Sequence, residues 1–188
     1  MDQHQMAILM AVLVAVIVVA VIVFLFVRKR RSQQLRERFG PEYERVLKKE
    51  GEVRRAENVL EIRAKRREKF ELRRLPAAAR TDFAERWRIV QSQFVDDPKG
   101  SVARADQLVS ELMVARGYPM ADFEQRAADI SVDHPVVVEN YRAAHDIALK
   151  HSRGQASTED LRTAMVHYRS LFDELLEDSL PEKKEARA

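Results

Sequence analysis

From residue 7 to residue 27 every position is apolar, 21 in a row, so a helix here has no face left for water. At about 1.5 Å per residue it is about 31 Å long, the thickness of a bilayer's hydrocarbon core. Eight Val and three Ile lower its helix propensity. In lipid the backbone must still satisfy its own hydrogen bonds, and that outweighs the preference. The leader before it carries no Lys or Arg, and the run ends in Phe24-Leu25-Phe26-Val27 instead of a small-residue cleavage site. The pattern therefore predicts an uncleaved transmembrane helix over 7–27, with 1–6 as a short non-cytoplasmic N-terminus.

Beyond the run the pattern becomes periodic. Phe39, Val46, Val53 and Leu60 fall seven apart, with Tyr43, Ala56 and Ala64 close to the same stripe. A heptad seam would also need Glu42, Lys49 and Arg63 to point inward. The stripe thus predicts a helix laid on a partner surface, not a self-sufficient coiled coil. Gly40-Pro41 starts it, and Gly51 is a weak point worth about 1 kcal/mol relative to Ala. A continuous helix over 41–74 would be about 50 Å long. Residues 28–75 are therefore expected to form a basic juxtamembrane helical stalk.

After Pro76 the helical period is clean. Phe83, Trp87, Val90 and Phe94 share one face. Asp97 caps the next helix, Pro98 opens it, and Val102, Ala105, Leu108, Val109 and Leu112 form its buried stripe. Gly117 closes it. A short helix carries Phe123, Ala127 and Ile130. Another starts at His134-Pro135, uses Val137, Tyr141, Ala144 and Ala148, and closes at Gly154. Ser157 and Asp160 form a capping box for the last, which carries Leu161, Met165, Tyr168, Phe172 and Leu175. The fold class expected is all-α: one N-terminal transmembrane helix, the basic stalk, a five-helix bundle over 76–180, and a disordered tail over 181–188.

Charge adds an orientation. The formal net charge of +3 conceals 21 Lys/Arg against 11 Asp/Glu between residues 28 and 91, and 12 against 18 from 92 onward. Arg28, Lys29, Arg30 and Arg31 abut the end of the apolar run and read as a topology anchor. The N-terminus then lies outside and the bundle in the cytoplasm of a single-pass membrane protein. Inside the span Ala7, Ala11 and Ala15 recur on one face, a stripe through which two copies could associate.

The dense cations of the middle segment raise a second function. Arg63, Arg66, Arg67, Arg73 and Arg74, within the basic segment 54–74, are candidates for contact with a polyanion, either nucleic acid or anionic lipid. Acidic residues are interleaved at helical spacing, and no aromatic residue stands among positions 54–69 to stack on bases. That favours a solvated, ion-paired face over nucleic acid as a partner.

Candidate chemistry is thin. The chain has no Cys, and no two of His4, His134, His145, His151 and His167 stand four apart. There is no phosphate loop, nucleophile elbow or dinucleotide fingerprint. Asp133-His134 reads as a helix cap before Pro135, and Trp87 as a core residue. No cofactor, metal or catalytic residue is expected.

The runs Arg38-Phe39-Gly40-Pro41-Glu42-Tyr43, Glu85-Arg86-Trp87, Phe94-Val95-Asp96-Asp97-Pro98, Arg116-Gly117-Tyr118-Pro119 and Val132-Asp133-His134-Pro135 resemble a family of bacterial single-span membrane proteins of unknown function. Its members are often labelled hypothetical membrane or secreted protein. The resemblance covers about residues 35–178 and implies no catalytic or binding residues. Taken together, the sequence predicts a membrane-tethered, non-enzymatic helical module whose partners are the bilayer and a cytoplasmic protein. The alternative is a tethered nucleic-acid or anionic-lipid binder.

Overall fold

The computed structural model describes residues 3–177, which form eight helices and no strand. They are α1 (Gln3–Phe39), α2 (Pro41–Glu50), α3 (Val53–Arg67), α4 (Ala77–Ser92), α5 (Pro98–Ala115), α6 (Phe123–Ile130), α7 (Val137–Ser152) and α8 (Thr158–Leu176). The expected all-α class and helical bundle hold. The expected tail over 181–188 lies outside the described residues.

Among the described residues, no helix is long and apolar enough to cross a membrane. The uninterrupted stretch of described apolar side chains in α1 runs over 13–27, 15 residues. That is about 22 Å, short of the roughly 30 Å needed. The expected span over 7–27 rests in part on side chains outside the described set, as does the stripe of Ala7, Ala11 and Ala15. Of these three, only Ala15 is described, and it is exposed.

The middle segment corrects the expectation of one long stalk. Gly51 adopts φ +71°, ends α2 and donates its backbone N–H to the Leu47 carbonyl. The chain reverses there, and α3 packs back along α2 while both touch α1. The stripe residues Phe39, Tyr43, Val46, Ala56, Leu60 and Ala64 are buried against one another, together with Leu35 from α1. Val53, the fourth heptad position, opens α3 and is 40% exposed. The helix also stops at Arg67 instead of reaching 74. Residues 68–76 leave it as a connector because Phe70, Leu72 and Leu75 turn onto the bundle.

Helices α4 to α8 make up the bundle and share one core. Asp97 caps α5 by accepting from Gly100 N–H at 2.9 Å. Ser157 and Asp160 form the reciprocal capping box of α8. Helices α7 and α8 pack as a hairpin, α5 lies along α8, and α4 closes on both. Trp87 is buried and stacks on Phe172, with ring centroids 4.6 Å apart.

The connector is bound tightly to the end of α5. Arg73 N–H donates to the Arg116 carbonyl at 2.9 Å, and Phe70 meets the Tyr118 ring edge-on. Gly117 sits at φ +95°, and a Cβ there would lie 2.4 Å from the Glu71 carbonyl oxygen. Both the backbone angle and this approach require glycine. Gly117→Ala is therefore expected to cost at least about 1–3 kcal/mol, the range for a non-glycine residue held in a sparsely populated backbone region. A thermal melt of the full chain in detergent checks this, and an unchanged midpoint would contradict it.

Candidate functional site

The two cores meet across charge. Glu42, in the first turn of α2, is fully buried. Its Oε1 accepts from Arg63 of α3 at 2.7 Å and from Arg142 of α7 at 3.0 Å. Arg45 lies 3.6 Å away. The Arg63 guanidinium also donates to Ser131 Oγ at 3.3 Å, and Arg142 reaches Glu124 at 3.4 Å. Desolvation pulls the Arg142 pKa below the usual arginine range, and the Glu42 carboxylate opposes that shift.

One helical turn further along α3, Arg66 donates to buried Asp129 at 2.9 Å, and Arg67 pairs with Asp133. Asp133 also accepts from the Tyr118 hydroxyl at 3.0 Å. Burial, reinforced by Asp133, raises the Tyr118 pKa, so this phenol stays a neutral donor. Beside this row Val132 inserts from the α6–α7 turn into the hairpin core. The row therefore fastens the α2–α3 hairpin to the bundle.

This arrangement relocates several expected residues. Arg63, Arg66 and Arg67 are engaged with Glu42, Asp129 and Asp133 of the same chain, and Arg66 stays exposed beside its acid. Arg73 and Arg74 are exposed on the connector. Asp133-His134 does not cap α7, whose N-cap is Val136 without a side-chain bond. Asp133 instead serves Arg67 and Tyr118, and His134 Nδ1 lies 3.0 Å from Glu174. Two of the residues that spoil the heptad seam, Glu42 and Arg63, do point inward, and they pair with each other. Sequence reasoning missed Glu42, Arg142 and Asp129. Spacing gave no signal for these pairs: Arg66 and Arg67 are adjacent, whereas their acids Asp129 and Asp133 stand four apart.

Two further histidines make contacts within the bundle. His145 stacks on Phe123 at 3.5 Å between centroids, and His167 Nδ1 lies 3.0 Å from Asn140 Oδ1. Among the described residues no cluster of His, Asp or Glu could hold a metal ion. Tyr141 and Tyr168 are buried phenols; burial pushes Tyr141 up to about 12 and raises Tyr168 further.

Among the described residues, two open surfaces bear on a partner or a bilayer. On the bundle, a groove of about 390 Å³ lies between α5 and the loop after it, lined by Met113, Val114, Pro119 and Met120 and flanked by Glu111 and Arg126. Met120 is 86% exposed. At the other end, the apolar side chains over 13–27 of α1 are exposed around the whole helix. They are followed directly by exposed Arg28, Lys29, Arg30 and Arg31, with Arg30 lying 4.5 Å over the Phe26 ring. Arg31 is paired with Glu61 of α3. Comparison with protein-family models, curated proteins and solved structures finds no match for this chain.

Proposed function

We propose that this protein is a membrane-tethered, non-enzymatic helical interaction module. The first part of α1 spans the bilayer with its N-terminus outside. The α2–α3 hairpin and the bundle sit at the cytoplasmic face and hold a protein partner there. The observation that carries this reading is α1 itself. Its apolar side chains over 13–27 are exposed, the sequence extends that run to 21 residues, and four cations stand at its end. The apolar surface exposed over 13–27 is stable against lipid and costly in water. The positive residues at the inner end favour the cytoplasmic orientation.

The bundle supports a recruiting role by leaving Met120 and Val114 uncovered beside a groove. The ion pairing of Arg63, Arg66 and Arg67 weighs against nucleic acid, because each phosphate contact would have to displace an internal carboxylate. The protein is expected to stay with membranes through an alkaline carbonate wash. Its bundle is expected to resist protease added to spheroplasts and to be digested after lysis. Release by the wash would overturn the span. Digestion in intact spheroplasts beside a surviving cytoplasmic control would overturn the orientation.

A further inference from the structure

The fold-back of the middle segment brings a second cation to the end of the apolar stretch. Helix α1 runs to Phe39, α2 returns, and α3 sets out again beside α1. The pair Arg31–Glu61 and the neighbours Arg36 and Glu44, 3.5 Å apart, fix this register. The start of α3 is thereby brought level with the last apolar turns of α1. A cleft of about 320 Å³ opens between them, with Phe24 and Val27 on one wall and Arg28, Arg54 and Asn58 around them. Arg31 and Glu57 complete the lining.

We infer that this cleft holds the headgroup of an anionic phospholipid of the bilayer, its phosphate between Arg28 and Arg54 and an acyl chain along Phe24 and Val27. The inference rests on the membrane-span reading above. The charges in the wall are unequal in a way that suits an anion. Glu61 is held by Arg31, whose pKa is raised chiefly by that hydrogen bond. Glu57 is buried and accepts from the Tyr43 hydroxyl at 3.1 Å. Arg28 and Arg54 are exposed.

Lys48, Lys49 and Arg55 stand exposed on either side of the same hairpin turn and add to the positive field. Two acids moderate it: Glu52 pairs with Arg55 at 3.3 Å, and Glu50 is half-buried. A guanidinium matches a phosphate through paired N–H donors, and Asn58 offers a further donor. The wall is basic at one end and apolar at the other. That graded chemistry fits a lipid at the bilayer surface better than a free phosphate, which would leave Phe24 and Val27 in water.

The test uses the full chain in nanodiscs of phosphatidylcholine mixed with phosphatidylglycerol, with retained lipid read by native mass spectrometry after detergent extraction. Wild type is expected to retain phosphatidylglycerol in preference to phosphatidylcholine. Arg28→Gln and Arg54→Gln should each weaken that preference about fivefold, the worth of one cation near an anionic surface. Arg54→Lys should restore part of it. Arg153→Gln, at the far end of α7, should leave it unchanged.

A chain that inserts but shows no preference would overturn the lipid site and leave the span intact. So would a preference that survives the double substitution of Arg28 and Arg54. Displacement of the lipid by inorganic phosphate alone would reassign the cleft to a soluble anion and overturn the proposal. Failure to insert in any disc would overturn the span and the lipid site together.

Discussion

Replacing Glu42 by Gln is expected to cost about 3–5 kcal/mol, the range for removing one partner from a buried ion pair. Gln keeps the shape and its oxygen can still accept a hydrogen bond, so the loss comes from the missing charge and from a buried NH2 donor in place of Oε2, which has no hydrogen-bond partner among the described residues. Glu42 is fully buried, and the side chains of Arg63 and Arg142 are only 14% and 8% exposed. Both cations converge on one carboxylate oxygen. Without its charge, two guanidiniums are left with Ser131 and the more distant Glu124 as partners. The measurement is amide hydrogen exchange on the full chain in detergent. Protection should fall in α2, α3 and the first turns of α7, and hold in α5 and α8, whose core lies apart.

Replacing Glu42 by Leu together with Arg63 and Arg142 by Met should recover most of the loss, since an apolar set of similar volume avoids desolvating charge. If Glu42→Gln alone leaves exchange unchanged, then Val132 and its apolar neighbours, and not the charges, hold the hairpin to the bundle.

The bundle was legible because its helices state themselves locally. Phe83, Trp87, Val90 and Phe94 repeat at the helical period, and Asp97-Pro98 and Ser157 with Asp160 mark starts within three residues of the groups they cap. Such signals need no knowledge of the rest of the chain. The path of the middle segment was not legible, because one stripe serves two structures. Seven-residue spacing of Phe39, Val46 and Leu60 fits a long helix on a partner, and equally two short helices on each other.

The fold-back is decided by Gly51 at φ +71° and by Glu42, whose second arginine stands 100 residues away. Glu42 and Arg63 each looked like a defect in a seam, and only their proximity shows that they neutralise one another. Arg66 and Arg67 read as a solvated face for the same reason: their acids, Asp129 and Asp133, belong to another helix and to the turn after it. Asp133 in turn looked like a cap because a proline follows two residues later, and its commitment to Arg67 and Tyr118 is tertiary. The exposed apolar part of α1 was fully legible, since composition alone denies it a polar face.

Emptying the Trp87 site should be comparably costly, and it reads the other core. Trp87→Ala is expected to destabilise the bundle by about 3–5 kcal/mol, the range for deleting a large buried aromatic. The ring lies nearly parallel to Phe172, 15° between planes, at the contact of α4 with α8. Its removal therefore takes away both buried area and a stacking partner. The backbone around it is helical on both sides and cannot easily collapse into the space. The indole Nε1 has no acceptor among the described residues. Trp87→Phe should for that reason cost much less than the alanine change, since it gives up area without breaking a hydrogen bond. Exchange protection in α4 and α8 is the readout, and the α2–α3 hairpin serves as internal reference. A large alanine effect with a small phenylalanine effect fits a packing role. Equal and near-zero effects would mean that the ring is free to leave the core, and Trp87 would then have to be reconsidered as a contact for a partner.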